Sequence, residues 1–422
     1  MINCWDLNCR AKLAIEEIPY IKSAVIGVYI KLGSRHENDR LRGASHFIEH
    51  MLFKGTQTRT AREIAEIFEG IGGQLNAFTS KEYTCIYART LDENLPLAIE
   101  IIFDMLFNSS FALKEFDTEK KVIIEEINMH EDSPDVLIHD IFAQNLWQGH
   151  SMGFPILGNL ESVTSFNRNE LYDFYKKMYL PGNMVISIAG NVDADQIRAI
   201  IERCLEGQPV ESARIPQQPP SNYQPFISMV DKDTEQIQIC LGTIGTSYWD
   251  ENRHIQNVMN SILGGGMSSR LFQTIREELG LAYSIYSSPS LYSDTGSFTI
   301  YAGTGPANVS GLFKALYNEI SGFVSQGISL KELLRTKQLL KSSMYLGLES
   351  AMNRMSRIGR SVMMYGEIIP AEAVIDKIQA IKPEMIKELA EALLSRQQFS
   401  LAAIGPKEAL KTVEEEFVRW WR

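Results

Sequence analysis

The strongest constraint on the fold is an order of elements that occurs twice along the chain. The first half predicts a strand at 23–33, a helix that ends at Gly55, a second helix, two strands and two long helices. The same order begins again beyond 208–226, a stretch in which prolines recur. Proline at this density favours a stiff, extended linker. The sequence therefore predicts a duplication, with an N-terminal half at 1–207 and a homologous C-terminal half at 227–422.

Within each half, helices follow paired strands rather than alternating with single strands. Two extended runs flank Ser80-Lys81 in the first half, and helices are expected at 94–107 and 115–131. This grouping is typical of α+β proteins and argues against a doubly wound sheet. A chain of 422 residues also exceeds what a single core usually organises. We expect two α+β halves, each a mostly antiparallel sheet covered by helices.

Composition and charge narrow the classes of partner. The formal net charge is −11 and no cluster of lysine or arginine offsets it, which argues against nucleic acid. The chain has no run of about 18 apolar residues, and residues 1–10 lack the apolar core of a signal peptide. Five cysteines are scattered without a CxxC pair, as expected for reduced thiols. We therefore expect a soluble, cytoplasmic protein with no membrane or nucleic-acid partner.

The residues with the clearest chemistry lie in the first glycine-ended helix, between Gly43 and Gly55. His46 and His50 are one helical turn apart, and Glu49 shares their face. Two imidazoles at this spacing can bind one Zn²⁺, and the carboxylate between them can take a proton from a water on the metal. The alternative is a solvated polar face without metal, and the motif alone does not decide between them.

The repeat provides an internal comparison for this motif. Alignment of the two glycine-ended helices places Gln256, Met259 and Asn260 opposite His46, Glu49 and His50. The second helix keeps the apolar pattern and the glycine end but has no ionisable group at these positions. If the helix needed the three residues in order to fold, its counterpart would be expected to keep them. This difference favours a site function that is present in the first half only.

A catalytic zinc needs a third protein ligand and an open position for water. The helix expected at 115–131 carries five glutamates: Glu115, Glu119, Glu125, Glu126 and Glu131. Glu119 and Glu126 are two turns apart on one face, whereas Glu125 points about 100° away from Glu126. Spacing alone leaves open which of them is a ligand and which are ordinary surface charges.

The stretch Gly43–Thr56 closely resembles the zinc motif of the pitrilysin (insulinase) family, in which the order His-x-x-Glu-His is the inverzincin signature. Within the family, the chain looks most similar to bacterial homologues of the β subunit of mitochondrial processing peptidase. The family's third ligand lies about 76 residues after the second histidine, which corresponds to Glu126. A further family glutamate, seven residues earlier, supports the site and corresponds to Glu119. The resemblance covers both halves in order.

The resemblance also implies residues that contact substrate. Asn76 and Ala77 match positions on an edge strand whose backbone pairs with an extended peptide, and Phe47, within the motif, is expected to contact substrate. Arg276 and Tyr283 match a C-terminal pair that helps hold the substrate carbonyl, where they would donate to a developing oxyanion. Without the resemblance, both would be read as structural residues of a helix surface and a strand.

Taken together, the resemblance implies a zinc-dependent endopeptidase that hydrolyses peptides or unfolded segments between two homologous halves facing each other as a clamshell. Zn²⁺ would be bound by His46, His50 and Glu126, and Glu49 would activate the water. The expected assembly is a homodimer or a heterodimer with a homologous chain. The alternative is a non-catalytic structural or partner subunit of the same fold, but relatives of that kind have lost the motif that this chain retains.

Overall fold

Two β-sheets with helices packed on them form the described part of the chain, which confirms the α+β class. A computed structural model describes residues 2–213, 215 and 223–422. Residues 214 and 216–222 of the predicted linker therefore lie outside the described residues. No helix within the described ranges combines the length and apolarity that a membrane crossing requires. All five cysteines are described, and none of them is in a disulfide.

The first sheet has six strands and is mostly antiparallel, as predicted. Its strands are β1 (Ile2–Asp6), β2 (Lys12–Glu17), β3 (Ser23–Ile30), β4 (Gln74–Thr79), β5 (Thr84–Leu91) and β6 (Met184–Gly190). Their order across the sheet is β1-β2-β6-β3-β5-β4, so β4 forms one edge within the described chain. Only the neighbours β2 and β6 run parallel. The sequence interpretation did not identify β1 and β2.

The helices of the N-terminal half are α1 (Ala44–Leu52), α2 (Ala61–Gly70), α3 (Leu95–Asn108), α4 (Leu113–Glu131), α5 (Pro134–Leu146), α6 (Leu160–Ser165), α7 (Arg168–Met178) and α8 (Ala194–Cys204). The helices expected at 94–107 and 115–131 are present as α3 and α4. The spacing of Thr60 and Glu63 in the sequence is that of a capping box, and the two residues exchange side-chain and backbone hydrogen bonds at the start of α2. Residues of α1, α3, α4 and α7 share a large apolar core with one face of the first sheet.

The second sheet repeats the first with one strand fewer. Its strands are β7 (Ile227–Asp231), β8 (Ile237–Ile244), β9 (Ser284–Leu291), β10 (Gly296–Thr304) and β11 (Ser400–Gly405). Their order is β7-β11-β8-β10-β9, and only β7 and β11 run parallel. This order and polarity match β2-β6-β3-β5-β4 strand for strand. The sheet topology therefore supports the duplication that the sequence predicts.

The second sheet is accompanied by one π-helix and a larger set of α-helices. The α-helices are α9 (Arg253–Leu263), α10 (Val309–Gln326), α11 (Leu330–Gly347), α12 (Ala351–Tyr365), α13 (Ala371–Ala380), α14 (Pro383–Leu393) and α15 (Lys407–Trp421). The π-helix spans Phe272–Glu278, where the sequence predicts an ordinary helix ending at Gly280. α9, α10, α14 and α15 contribute to the second large apolar core.

Each sheet is completed by a helix from the other half of the sequence. α12 packs on the first sheet, where alternate residues of β3 face it: Val25 and Tyr29 contact Met355 and its neighbours. Gly27 of β3 is needed there, since a Cβ atom at this position would lie 2.4 Å from the sulfur of Met355. Likewise, α5 packs on the second sheet. The first compact unit therefore includes Tyr345–Ile369 from the C-terminal half, and the second includes Met129–Gly153 from the N-terminal half. The units thus differ from two halves that simply follow each other along the chain.

Candidate metal centre

Helix α1 presents both histidines of the motif on one side. Phe47, Ile48 and Met51 are fully buried in the core of the first unit, so the remaining face carries His46, Glu49 and His50. The two imidazole rings are adjacent, with 4.6 Å between their centroids. The helical spacing read from the sequence is therefore realised in the structure.

The third group that meets the histidines is Glu126 of α4. Its Oε2 atom lies 3.8 Å from Nε2 of His46 and 3.7 Å from Nε2 of His50. Among the described residues, His46, His50 and Glu126 form a group of possible metal ligands whose ligand atoms all lie within 4.8 Å of one another. The distances are too long for hydrogen bonds. They are close to the separation of about 3.4 Å expected between two ligand atoms of a tetrahedral zinc, so the residues fit such an ion.

The pitch of α4 determines which of its five glutamates reach the histidines. Glu119 and Glu126, two turns apart, both face α1, and the side chain of Glu119 is only 2% exposed. Glu125 is exposed, as its different helical face predicts. The ambiguity left by spacing is resolved by this orientation, since only Glu119 and Glu126 contact the histidine pair.

Glu119 fixes the orientation of His50. Its Oε2 atom lies 2.9 Å from Nδ1 of His50, and its Oε1 atom lies 2.5 Å from Nζ of Lys54. Burial acts to raise the pKa of Glu119, but the hydrogen bonds from His50 and Lys54 outweigh burial and lower it. An ionised carboxylate only accepts, so Nδ1 carries the proton, and in the neutral ring Nε2, which lies 3.7 Å from Glu126, keeps its lone pair. This is the tautomer that a metal ligand needs.

His46 is held neutral by its surroundings. Burial, together with the neighbouring His50, lowers the pKa of His46 to about 3. Burial acts in the same direction on His50, but there the hydrogen bond to Glu119 and the charge of Glu126 outweigh it and raise the pKa. A neutral imidazole can donate a lone pair to a metal, whereas a protonated one cannot. The environment of His46 therefore suits a ligand.

Glu49 is partly buried and is hydrogen-bonded to the edge strand. Its Oε2 atom accepts a hydrogen bond of 2.5 Å from the hydroxyl of Thr79, the last residue of β4. The Thr79 hydroxyl also lies 3.3 Å from that of Thr84 on β5. Burial raises the pKa of Glu49, while the bond from Thr79 partly offsets the rise. A carboxylate with a raised pKa, held beside the candidate ligands, is suited to accept a proton.

Asn76 and Ala77 lie on β4, which is an edge strand, as the resemblance implies. The side-chain oxygen of Asn76 accepts a hydrogen bond of 2.8 Å from the N–H of Ala77. The strand side that carries Ala77 and Thr79 packs toward α1, because side chains alternate along β4. The edge therefore runs directly beside the helix that carries the histidines.

The expected substrate contact of Phe47 does not fit the structure. Phe47 has no exposed surface and packs against the rings of Phe116 and Phe166, with centroids 4.8 Å and 5.6 Å away. Its position next to His46 places it on the opposite face of α1, toward the core. The role of Phe47 is therefore to pack α1 against α4 rather than to meet a substrate.

Arg276 and Tyr283 lie side by side in the second unit. The guanidinium of Arg276 lies 5.0 Å from the ring centroid of Tyr283 and 4.7 Å from that of Phe272. Tyr283 is largely exposed. Arg276 and Tyr283, seven residues apart in the sequence, are thus neighbours in the structure. Their expected role toward a substrate stays a prediction.

The counterpart of α1 in the second unit is built without ionisable groups at the matching positions. Gln256 is buried and accepts a hydrogen bond from the N–H of Thr246, and Asn260 is 2.6 Å from the hydroxyl of Ser287. These amides bind the backbone and a side chain of their own unit. The same helix position thus serves packing in one half and carries the candidate ligands in the other.

Two residues that shape the site were not identified as site residues from the sequence. Lys54 contacts Glu119. It follows His50 by four residues, and this spacing predicts that the two lie on the same side of the helix. Thr79 follows the Asn76-Ala77 pair by two residues, but nothing in its position marks it as a site residue. Its bond to Glu49 joins residues 30 positions apart, and local spacing does not reveal such a contact.

Two family models match successive parts of the chain. One is described as Insulinase (Peptidase family M16) and matches residues 12–160. The other is described as Peptidase M16 inactive domain and matches residues 165–340. The first match contains the histidine pair and Glu126, and the second contains Arg276 and Tyr283.

Full-length bacterial relatives align with nearly the whole chain. It is 40% identical to an uncharacterized zinc protease of Bacillus subtilis, YmxG, over 96% of this chain and 98% of the relative. An uncharacterized zinc protease of Rickettsia felis is 40% identical over 93% and 94% of the two chains. A crystal structure of a peptidase M16 inactive domain from Pseudomonas fluorescens has a TM-score of 0.90 at 20% identity, covering 96% of this chain and 98% of that one. A Helicobacter pylori protease also gives 0.90, at 19% identity, covering 96% and 99%. These two solved structures have the same fold as this chain.

Proposed function

Because the chain belongs to the M16 (insulinase) peptidase family, we propose that it is a zinc-dependent endopeptidase acting on peptides or unfolded segments. The observation that carries this proposal is the convergence of His46, His50 and Glu126, whose ligand atoms lie within 4.8 Å of one another. These three residues would hold the zinc ion. When bound, zinc lowers the pKa of a coordinated water and polarises a peptide carbonyl.

The chain's own residues would carry out the proton transfers. Glu49 accepts a proton from the attacking water and returns it to the leaving amine. The Thr79 hydroxyl occupies one carboxylate oxygen of Glu49, which leaves the other oxygen for the water. Glu119 would keep the Nε2 lone pair of His50 available by holding the proton on Nδ1. Each of these roles follows from a contact that can be removed by a single substitution.

Substrate would bind as an added strand on β4. A peptide that pairs with an edge strand gains main-chain hydrogen bonds whatever its side chains are, so this mode suits extended or unfolded segments. The Asn76 amide, which now accepts from the Ala77 N–H, would release that donor to the peptide. Arg276 and Tyr283 would donate to the carbonyl oxygen as it gains charge. We also propose a homodimer, which sedimentation of the purified chain would test.

Hydrolysis of a peptide mixture, with and without a chelator, tests the proposed activity. The wild-type chain should cleave peptides, lose the activity with chelator and regain it with added Zn²⁺. Glu49→Gln should retain zinc and lose at least about a hundredfold in rate, as expected when a general base is removed. A Glu49→Gln chain that cleaves at the parental rate would refute the assignment of Glu49. A wild-type chain that binds zinc without cleaving any peptide would favour the non-catalytic alternative.

A further inference from the structure

Glu37 is a buried carboxylate that makes no contact with the residues of the proposed reaction. It lies in the loop before α1, and the residue is only 5% exposed. Its Oε2 atom accepts a hydrogen bond of 2.7 Å from the N–H of Gly43. Its Oε1 atom accepts another of 2.7 Å from the N–H of Ser45. Both oxygens are thus engaged with the first turn of the helix that carries the histidines.

Helix α1 needs such an acceptor because it has no ordinary N-terminal cap. The first N–H groups of a helix lack partners inside the helix, and a Ser, Thr, Asp or Asn side chain usually binds one of them. Here the N-cap residue is Gly43, with φ of +89° and no side chain. A Cβ atom at Gly43 would lie 2.6 Å from the carbonyl oxygen of Leu157 and 2.9 Å from the Cα of Gly158. The neighbouring loop therefore excludes a capping side chain, and Glu37 takes its place.

The two histidines differ in how their rings are held. His50 is oriented through its side chain, by the hydrogen bond to Glu119. The Nδ1 atom of His46 is buried and has no hydrogen-bond partner among the described residues. Its ring orientation therefore depends on packing and on the backbone of the first turn. That backbone is fixed at Ser45, the residue directly before His46, by the bond to Glu37.

We propose that Glu37 is a positioning residue for the metal centre, holding the first turn of α1 so that His46 meets His50 and Glu126. This inference rests on the proposed function, since it assigns Glu37 to the affinity of the same zinc site. The carboxylate acts through the backbone of Gly43 and Ser45 and touches neither ligand. Loss of either hydrogen bond lets the first turn shift, and His46 is the ligand that moves with it.

Burying the Glu37 carboxylate, which accepts from two N–H groups, costs free energy. Burial raises the pKa of Glu37 to about 7, even though the two N–H bonds and the nearby Lys81 act to lower it. A polar group that is costly to bury, and whose two oxygens accept from the first turn of the helix carrying the ligands, is better explained by positioning than by stability. The free-energy cost of burying Glu37 therefore agrees with the positioning role inferred from its hydrogen bonds.

The zinc affinity of folded Glu37→Gln tests the proposal. The carboxamide keeps one acceptor oxygen but turns its NH₂ group toward the other N–H, so one hydrogen bond is lost. Competition with a chromophoric chelator should give an affinity about tenfold weaker than that of the wild type, near the lower end for residues that support metal ligands. Circular dichroism would establish that both proteins are folded under the same conditions.

Glu17→Gln is the matched control. Its carboxylate accepts a hydrogen bond of 3.0 Å from the N–H of Ala194, at the start of α8, and α8 carries none of the proposed site residues. This substitution removes the charge from a carboxylate that contacts the start of another helix of the same unit, and its amide oxygen can still accept from the N–H of Ala194. It should therefore leave zinc affinity unchanged, because α8 carries no proposed ligand.

Each outcome decides a different question. If the wild type and Glu17→Gln bind zinc and Glu37→Gln binds it equally well, the role of Glu37 is refuted while the proposed function stands. If the wild type binds no zinc, the proposed function itself fails. Should Glu37→Gln not fold, Glu37→Asp replaces it, because its shorter chain keeps the charge and reaches at most one of the two N–H groups. Wild-type affinity in Glu37→Asp would then refute the proposal, and a weaker affinity would support it.

Discussion

Glu119 Oε2 lies 2.9 Å from His50 Nδ1, and this contact links the two helices that supply the candidate ligands. The same carboxylate also binds Lys54 just beyond the end of α1. The buried Glu119 of α4 is thus connected to His50 in α1 and to Lys54, which follows the C-terminal cap of α1. The face of α4 that carries Glu126 is held against the histidines by this connection. The geometry of the proposed metal centre therefore depends on residues outside the ligand set.

Glu119→Gln should weaken zinc binding while Glu126 is still in place. The amide has no charge and can turn its NH₂ group toward His50, so the Nδ1 proton loses its fixed acceptor. Loss of such a partner typically costs about 10–100-fold in metal affinity. Chelator competition on folded protein measures the change. An affinity equal to that of the wild type would show that His50 is oriented by packing alone.

Thr79→Val should slow peptide cleavage without loss of zinc. The substitution removes the hydroxyl that donates to Glu49 but keeps the branched shape on β4. We expect kcat to fall by about tenfold, at the low end of what positioned acid–base groups contribute, while zinc content stays at the wild-type level. Thr79→Ser keeps the hydroxyl and is the control, with a rate close to that of the wild type. Equal rates for the Val and Ser variants would contradict a role of Thr79 in positioning Glu49.

Glu332 provides a test of stability against pH in the second unit. Its carboxylate binds Arg270 at 2.7 Å and 3.0 Å and accepts from the N–H of Ser329. Burial acts to raise the pKa of Glu332, but these bonds outweigh it and lower the pKa from 4.5 to about 2. A carboxylate whose pKa is lower in the folded state stabilises the protein above its unfolded pKa, and this contribution is lost as pH falls.

Glu332→Gln should therefore be less stable than the wild type at pH 7, by about 1–2 kcal/mol after allowance for solvent screening. The difference should shrink as pH falls from about 5 toward 2, because the wild-type carboxylate becomes protonated. Urea denaturation over this pH range gives the comparison, with the exposed Glu388→Gln as the control. A difference that stays constant from pH 7 to pH 3 would contradict the ion-pair explanation.

Local periodicity accounts for what the sequence predicts well. The helical spacing of His46 and His50 and the two-turn spacing of Glu119 and Glu126 require only the pitch of one helix each. The capping-box pattern at Thr60 is also a local signal. These features and the repeated order of strands and helices appear in the structure, whereas α1 ends at Leu52, three residues before the predicted end at Gly55.

Long-range pairing accounts for what the sequence does not predict. β2 pairs with β6 far along the chain, and β11 returns from the C-terminal region to pair with β7, so no short-range pattern links them. The exchange of α5 and α12 between the two sheets has the same cause. The expectation for Phe47 was wrong because position in a motif does not say which face of the helix points to the core. The contact of Glu37 with Gly43 and Ser45 depends on a loop conformation that composition leaves open.

Zinc content per chain, by elemental analysis of metal-loaded and dialysed protein, tests the convergence of His46, His50 and Glu126 most directly. Glu125→Gln is the matched control for Glu126→Gln, since the two glutamates are adjacent on α4 and only Glu126 contacts the histidines. We predict about one zinc per chain in the wild type and in Glu125→Gln, and far less than one in Glu126→Gln. Full zinc content in Glu126→Gln would contradict the proposed metal centre.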